Sequence, residues 1–278
     1  MRAQPGFHAA LEHSMRGALR LNDSEPIYHR MMSDSACMLL GMTALYLDAT
    51  GGLSHQRLRD VAGISGVLSA GRVSALLMRL QMIGWVSAAR DRLPGSPKLY
   101  RPTPQMIAAF QAQYRLDLES IRAMAPDMAE LLTRYDRPEG FRAFMRIFGE
   151  AALRAVRGGP AEPEPILAIG IRRAGALVLI ALLDAAATEA GHFPATGHAR
   201  VSISALSRRF RVSRTHVLKI LREAVAARFF THGATEGEGV VQPALLEAFE
   251  QVYAVIYIGL AASAHLALGD QPAAAAAA

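Results

Sequence analysis

Five side chains between residues 214 and 222 could do a recognisable chemistry: Arg214, Thr215, His216, Lys219 and Arg222 combine cationic heads with hydrogen-bonding groups. Such groups hold phosphates and read base edges, and an arginine can take guanine O6 and N7 in one bidentate contact. Ser213, just ahead of them, is a serine able to accept from the unpaired N–H groups of a helix's first turn. From that start, Val217, Ile220, Leu221, Ala224 and Val225 fall on one face at helical spacing. Arg214, Thr215, Leu218, Lys219 and Arg222 fall on the other. The spacing therefore predicts an amphipathic helix with a cationic outer face. Arg208, Arg209 and Arg211 precede it in a short helix and turn, where they would lie over a phosphate backbone.

Other chemistries lack their residues. The sequence has no Walker loop, no G-x-G-x-x-G, no H-E-x-x-H and no nucleophile-elbow spacing. His192 and His198 share a loop that brings no carboxylate or thiol with them, so they are read as ordinary loop histidines. Cys37 is the only cysteine; it excludes an intrachain disulfide and a cysteine zinc site, and its apolar surroundings make it a small core residue. The expectation is a protein that is not an enzyme and uses no cofactor and no metal, in a cytoplasmic setting.

The elements that must position the cationic helix occur twice. Leu45 to Ala49 matches Ala181 to Ala185, and Leu58 to Ser65 matches Leu206 to Ser213. Ser69 to Val86 matches Ser213 to Phe230, and Pro104 to Tyr114 matches Pro243 to Tyr253, all in the same order. Each copy reads as an apolar helix, at about Ser35 to Asp48 and Ile171 to Glu189. A short helix near Ser54 or Ser202 follows, then a turn and a helix capped by Ser69 or Ser213. An aromatic-led strand, a Gly/Pro turn and a return strand close each copy. Gly158 to Pro165 has neither apolar periodicity nor a helix-compatible composition, which places domains at 1–157 and 166–270, a linker at 158–165 and a disordered tail at 271–278.

Charge follows the repeat. The chain of 278 residues carries a net +6 and is 51% hydrophobic and 19% charged, so it is too apolar for intrinsic disorder. Residues 200–230 hold eight basic side chains against Glu223, and residues 54–101 hold eight against Asp60 and Asp91, leaving the remainder net acidic. Two basic modules on an acidic scaffold are the footprint of a nucleic-acid binder. The copies differ, however. Ala70, Gly71, Ala75 and Met78 stand where the second copy has Arg214, Thr215, Lys219 and Arg222, leaving Ser69, Arg72, Ser74 and Arg79 on that helix. Arg90, Arg92, Lys98 and Arg101 crowd the first hairpin, while the second carries Glu236 and Glu238. Copy two is thus expected to contact DNA mainly by helix and copy one mainly by hairpin; the alternative is a degenerate first copy that only pairs with the second.

Helix, turn, second helix and β-hairpin in that order is the winged helix-turn-helix. Over about Ser35 to Tyr114 and Ile171 to Tyr253 the chain resembles the MarR-type bacterial transcription regulators, and Val212 to Glu223 also resembles the recognition-helix line of GntR-type regulators. The resemblance implies a mainly α (α+β) fold of two tandem winged units with flanking dimerisation-type helices, arranged as a pseudo-dimer. It implies a sequence-specific regulator on double-stranded DNA, monomeric or homodimeric, at the nucleoid of a bacterial cytoplasm. A plasmid-type replication initiator and a winged-helix protein-interaction subunit are the competing readings. The MarR-type likeness also implies a small apolar or aromatic effector, for which Phe141, Phe144, Phe148, Tyr253 and Tyr257 are either a lining or simply core. The apolar run Val252 to Leu268 includes Ser263 and His265 and lacks basic flanks, so it is expected to be a buried or subunit-pairing helix and not a membrane span.

Overall fold

The computed structural model describes residues 1–24, 35–64, 70–89, 98–158, 164–233 and 237–269. It is mainly helical, with two small antiparallel sheets. The chain divides into two compact units that are not sequential halves. A first unit comprises Ala36–Gly159 with Tyr257–Ala278, and a second comprises Met1–Ser35 with Pro160–Ile256. This partition departs from the expected 1–157 and 166–270 at both ends of the chain. Of the expected linker, Pro165 already opens a helix, and the expected tail lies outside the described residues.

In the first unit α2 (Ser35–Ala49) leads to β1 (Leu53–Ser54), α3 (His55–Ile64), α4 (Ala70–Met82), β2 (Val86–Ala88) and β3 (Leu99–Pro102). The sheet order is β1-β3-β2, with Leu53 opposite Tyr100 and Ser87 opposite Arg101. Three helices follow: α5 (Pro104–Ile121), α6 (Met128–Tyr135) and α7 (Pro138–Arg157). Thr103 starts α5, its hydroxyl accepting from the Met106 N–H and donating to the Gly84 carbonyl, and Pro104 takes the first-turn position where its missing N–H costs nothing.

Aromatic rings fill this core. Trp85 meets Phe110 edge-on, Tyr114 meets Phe148, and Phe144 stacks on Phe148 with ring centroids 5.3 Å apart. Tyr135 packs edge-on against Phe141 and Phe144 and donates its hydroxyl to the Gln111 carbonyl. Burial pushes the Tyr114 and Tyr135 phenols well up, so both are neutral. Phe141 and Phe144 are buried among these rings and Tyr257 is buried. These three of the five candidate effector-lining aromatics therefore serve as core. α2 comes close to α5 at Gly41, where a Cβ would stand 2.5 Å from the Phe110 ring.

The second unit repeats the element order. α8 (Pro165–Gly170) and α9 (Gly175–Ala190) precede β4 (Gly197–Arg200), α10 (Ile203–Arg209), α11 (Arg214–Ala226), β5 (Phe230–His232) and β6 (Glu238–Val241). Its sheet order is β4-β6-β5, matching the first. Every residue of α9 from Leu177 to Leu183 is buried, and a further helix, α1 (Phe7–Ser24), packs on it. Phe7, Leu11, Met15 and Leu19 are buried in that packing, and Arg16 holds Asp184 at 3.2 Å while lying over the Phe193 ring. This packing is the physical reason that the first residues belong to the second unit.

The last helix, α12 (Pro243–Leu268), begins in the second unit and ends in the first. It is long and apolar enough to cross a membrane by length and composition, yet only one side of it is buried. Leu260, Ala264 and Leu268 lie inside the first unit, where Arg134 donates to the Leu268 carbonyl. Val255, Ile258 and Leu266 are more than half exposed, so of the expected buried or subunit-pairing helix only one side is buried within the chain.

Candidate nucleic-acid interface

The cationic helix of the second unit is placed by its cap and by the turn before it. Ser202 caps α10, accepting from the Ala205 N–H. Phe210 is buried, and Arg211 turns the chain with a positive φ of 49°. Ser207 donates its hydroxyl to the Val212 carbonyl at 2.6 Å, while the Val212 N–H donates to the Ser207 carbonyl, which locks the turn. Ser213 then caps α11, accepting from the His216 N–H at 3.1 Å.

Val217, Ile220, Leu221 and Ala224 of α11 are buried. Arg214, Thr215, Lys219 and Arg222 are exposed on the opposite face, with Arg208 and Arg211 also exposed nearby. Among the described residues, no carboxylate forms an ion pair with these five cations. Glu223, the one acid of the stretch, is engaged by Arg172 from the turn before α9. The helix face therefore keeps its positive charge.

Two of the proposed contact residues are otherwise occupied. Arg209 is held by Asp23 at the end of α1, with Nη2 2.8 Å from Oδ2 and Nε 3.1 Å from the same oxygen. His216 sits 2.7 Å from the Arg173 carbonyl, so its ring N–H donates there and fastens the start of α11 to the turn before α9. That turn brings the exposed Arg173 beside the cap, a cation outside the basic stretch and therefore missed in sequence. Only the 43-residue separation bridged by this hydrogen bond reveals it. On the hairpin, Thr231 and His232 are exposed, and Arg200 of β4 stands opposite Glu238 of β6.

In the first unit the equivalent helix α4 buries Val73, Leu76, Leu77 and Leu80. Arg72 and Arg79 are exposed, whereas Ser74 is half-buried and hydrogen-bonded to His55 at 2.9 Å. Arg57, counted among the basic residues of this copy, donates to the Gly52 and Thr50 carbonyls and closes the loop after α2. Lys98 and Arg101 are exposed, Lys98 lying over the Tyr100 ring. Arg101 borders a cavity of about 470 Å³ with Asp48, Gly51, Gly52, Tyr100 and Arg142. Ser69, Arg90 and Arg92 lie outside the described residues, as does Glu236 of the second hairpin.

No family model, curated protein or solved structure matches the chain. The α11 surface offers a helix start rich in exposed donors, five cations without an acidic partner, and a rigid turn beneath them. Such a surface can neutralise phosphates and donate to base edges.

Proposed function

We propose that the protein is a double-stranded DNA-binding transcription regulator built from two winged helix-turn-helix units, with α11 as its main reader. The carrying observation is the outer face of α11, where Arg214, Thr215, Lys219 and Arg222 stand exposed while Glu223 is drawn off by Arg172. The element order of each unit, with its three-stranded sheet, supports the winged-helix reading. Arg214 and Thr215 lie in the first turn, where a recognition helix reaches base edges, and Arg208, Arg211 and Lys219 are spaced to hold phosphates.

The test is fluorescence anisotropy on duplexes selected from a random pool. Arg214→Ala with Lys219→Ala should weaken the selected duplex by about a hundredfold while weakening a scrambled duplex far less, since base-edge contacts carry discrimination. Equal affinity of the double variant and the parent for the selected duplex would remove α11 as the reader.

A further inference from the structure

Two neighbouring arginines outside the basic stretch are fastened along one flank of α11. Val217, Ile220, Leu221 and Ala224 of that helix are buried and Thr215, Lys219 and Arg222 exposed, so His216 and Glu223 stand on the edge between the two faces, two turns or about 10.5 Å apart. The turn between α8 and α9 is tied to both. The His216 ring donates to the Arg173 carbonyl at 2.7 Å, and the Arg172 guanidinium pairs with the Glu223 carboxylate. The turn is also locked within itself: the Arg172 N–H donates to the Ile169 carbonyl, the Gly175 N–H donates to the Arg172 carbonyl, and a Cβ at Gly175 would stand 1.9 Å from the Ile169 oxygen.

The side chains of these two arginines end differently. Arg172 neutralises Glu223, the one acid of the 200–230 stretch. Arg173 is exposed, and among the described residues no carboxylate, carbonyl or ring engages its guanidinium. A helix about 10–12 Å across nearly fills a major groove about 12 Å wide. What lies on the flank of such a helix therefore meets the sugar–phosphate wall and not the base edges. On this flank an unpaired Glu223 would repel phosphate, whereas a free guanidinium holds one.

We propose that the α8–α9 turn is a phosphate clasp beside the reading helix: Arg173 holds a backbone phosphate, Arg172 keeps Glu223 from repelling the same strand, and His216 sets the turn against α11. This inference rests on DNA binding by α11 and names the wall of the groove that the second unit grips, the one on the His216 and Glu223 side. It makes Arg173 a contact residue and Arg172 and His216 positioning residues, which moves His216 away from the base edges.

Anisotropy across a potassium chloride series, on the full chain with the selected and the scrambled duplex, tests the clasp. Arg173→Ala should weaken both duplexes alike, by about fivefold at low salt, and lower the log–log salt slope by about 0.9. Arg173→Lys should keep most of the affinity, since the charge remains. The melting temperature should be unchanged in both variants because the side chain is exposed. Arg172→Ala should weaken both duplexes at least as much, and adding Glu223→Gln should restore binding to within about twofold of the parent. His216→Ala should weaken binding in the parent and add no further loss to Arg173→Ala, since a positioning role works only through the residue it positions.

A parental salt slope in Arg173→Ala, a loss confined to the selected duplex, or a failure of Glu223→Gln to rescue Arg172→Ala overturns the proposal. Any of these alongside a binding loss in the Arg214/Lys219 variant leaves α11 standing as the reader. Parental affinity in that variant instead removes the DNA reading, and this inference with it.

Discussion

Asp23 and Arg209 are 186 residues apart in the chain and joined by a 2.8 Å ion pair. Arg209 is thereby partly neutralised at the surface where phosphate contacts are proposed, and both side chains are more than a third exposed. An exposed pair of this kind contributes little to stability. Asp23→Ala should therefore leave the urea midpoint nearly unchanged. By freeing Arg209 for one more phosphate, it should steepen the salt dependence of DNA affinity by up to about 0.9 in log–log slope, read by anisotropy across a potassium chloride series. The outward positions of Arg214, Lys219 and Arg222 were legible from helical spacing alone. The pairing of Arg209, the tethering of His216 and the Ser74–His55 bond were not, because each depends on a partner brought close only by the fold.

At the scale of elements, the caps and apolar faces carry the legibility. Ser213 marks the start of α11 in sequence and caps it in the structure; Ser213→Ala should cost about 1 kcal/mol in urea unfolding, and Ser213→Asp should restore most of it. The far end of α11 behaves differently from its counterpart. Arg228 turns the chain with φ 59°, at the place where α4 uses Gly84 with φ 75°. A side chain in the left-handed region is strained and glycine is not, so Arg228→Gly should raise stability by about 0.5–1 kcal/mol in the same measurement. Strands β1 and β4 escaped sequence reading. Leu53–Ser54 is too short to show a period, and Gly-His-Ala-Arg has no apolar alternation; each is a strand only because β3 or β6 offers it an edge. For α12 the sequence offered burial or subunit pairing; Leu260, Ala264 and Leu268 are buried while Val255, Ile258 and Leu266 face outward, a division that depends on what the fold packs against the helix.

For the whole molecule, the repeat and the mainly helical class follow from patterns within each copy, but the membership of the chain ends does not. Phe7, Leu11 and Met15 have helical spacing in sequence, yet nothing in that spacing says that their apolar face is completed by α9, more than 160 residues onward. A polypeptide beginning at residue 25 should lose roughly 1.5–3 kcal/mol for each of these fully buried side chains. Hydrogen exchange should then accelerate across α9 and β4, with α5 of the first unit as the internal comparison. The same connectivity sets an order of events at the ribosome. The second unit needs residues from the start of the chain and from 160–256, and the first needs Tyr257 onward. Synthesis of either is unfinished until the final helix emerges. A nascent chain halted before residue 256 leaves both units incomplete, with the seat of Leu260 and Leu268 open to chaperones and proteases. Unlike a pair of domains strung in series, this chain has no early half that can fold to completion while the later half is still being made.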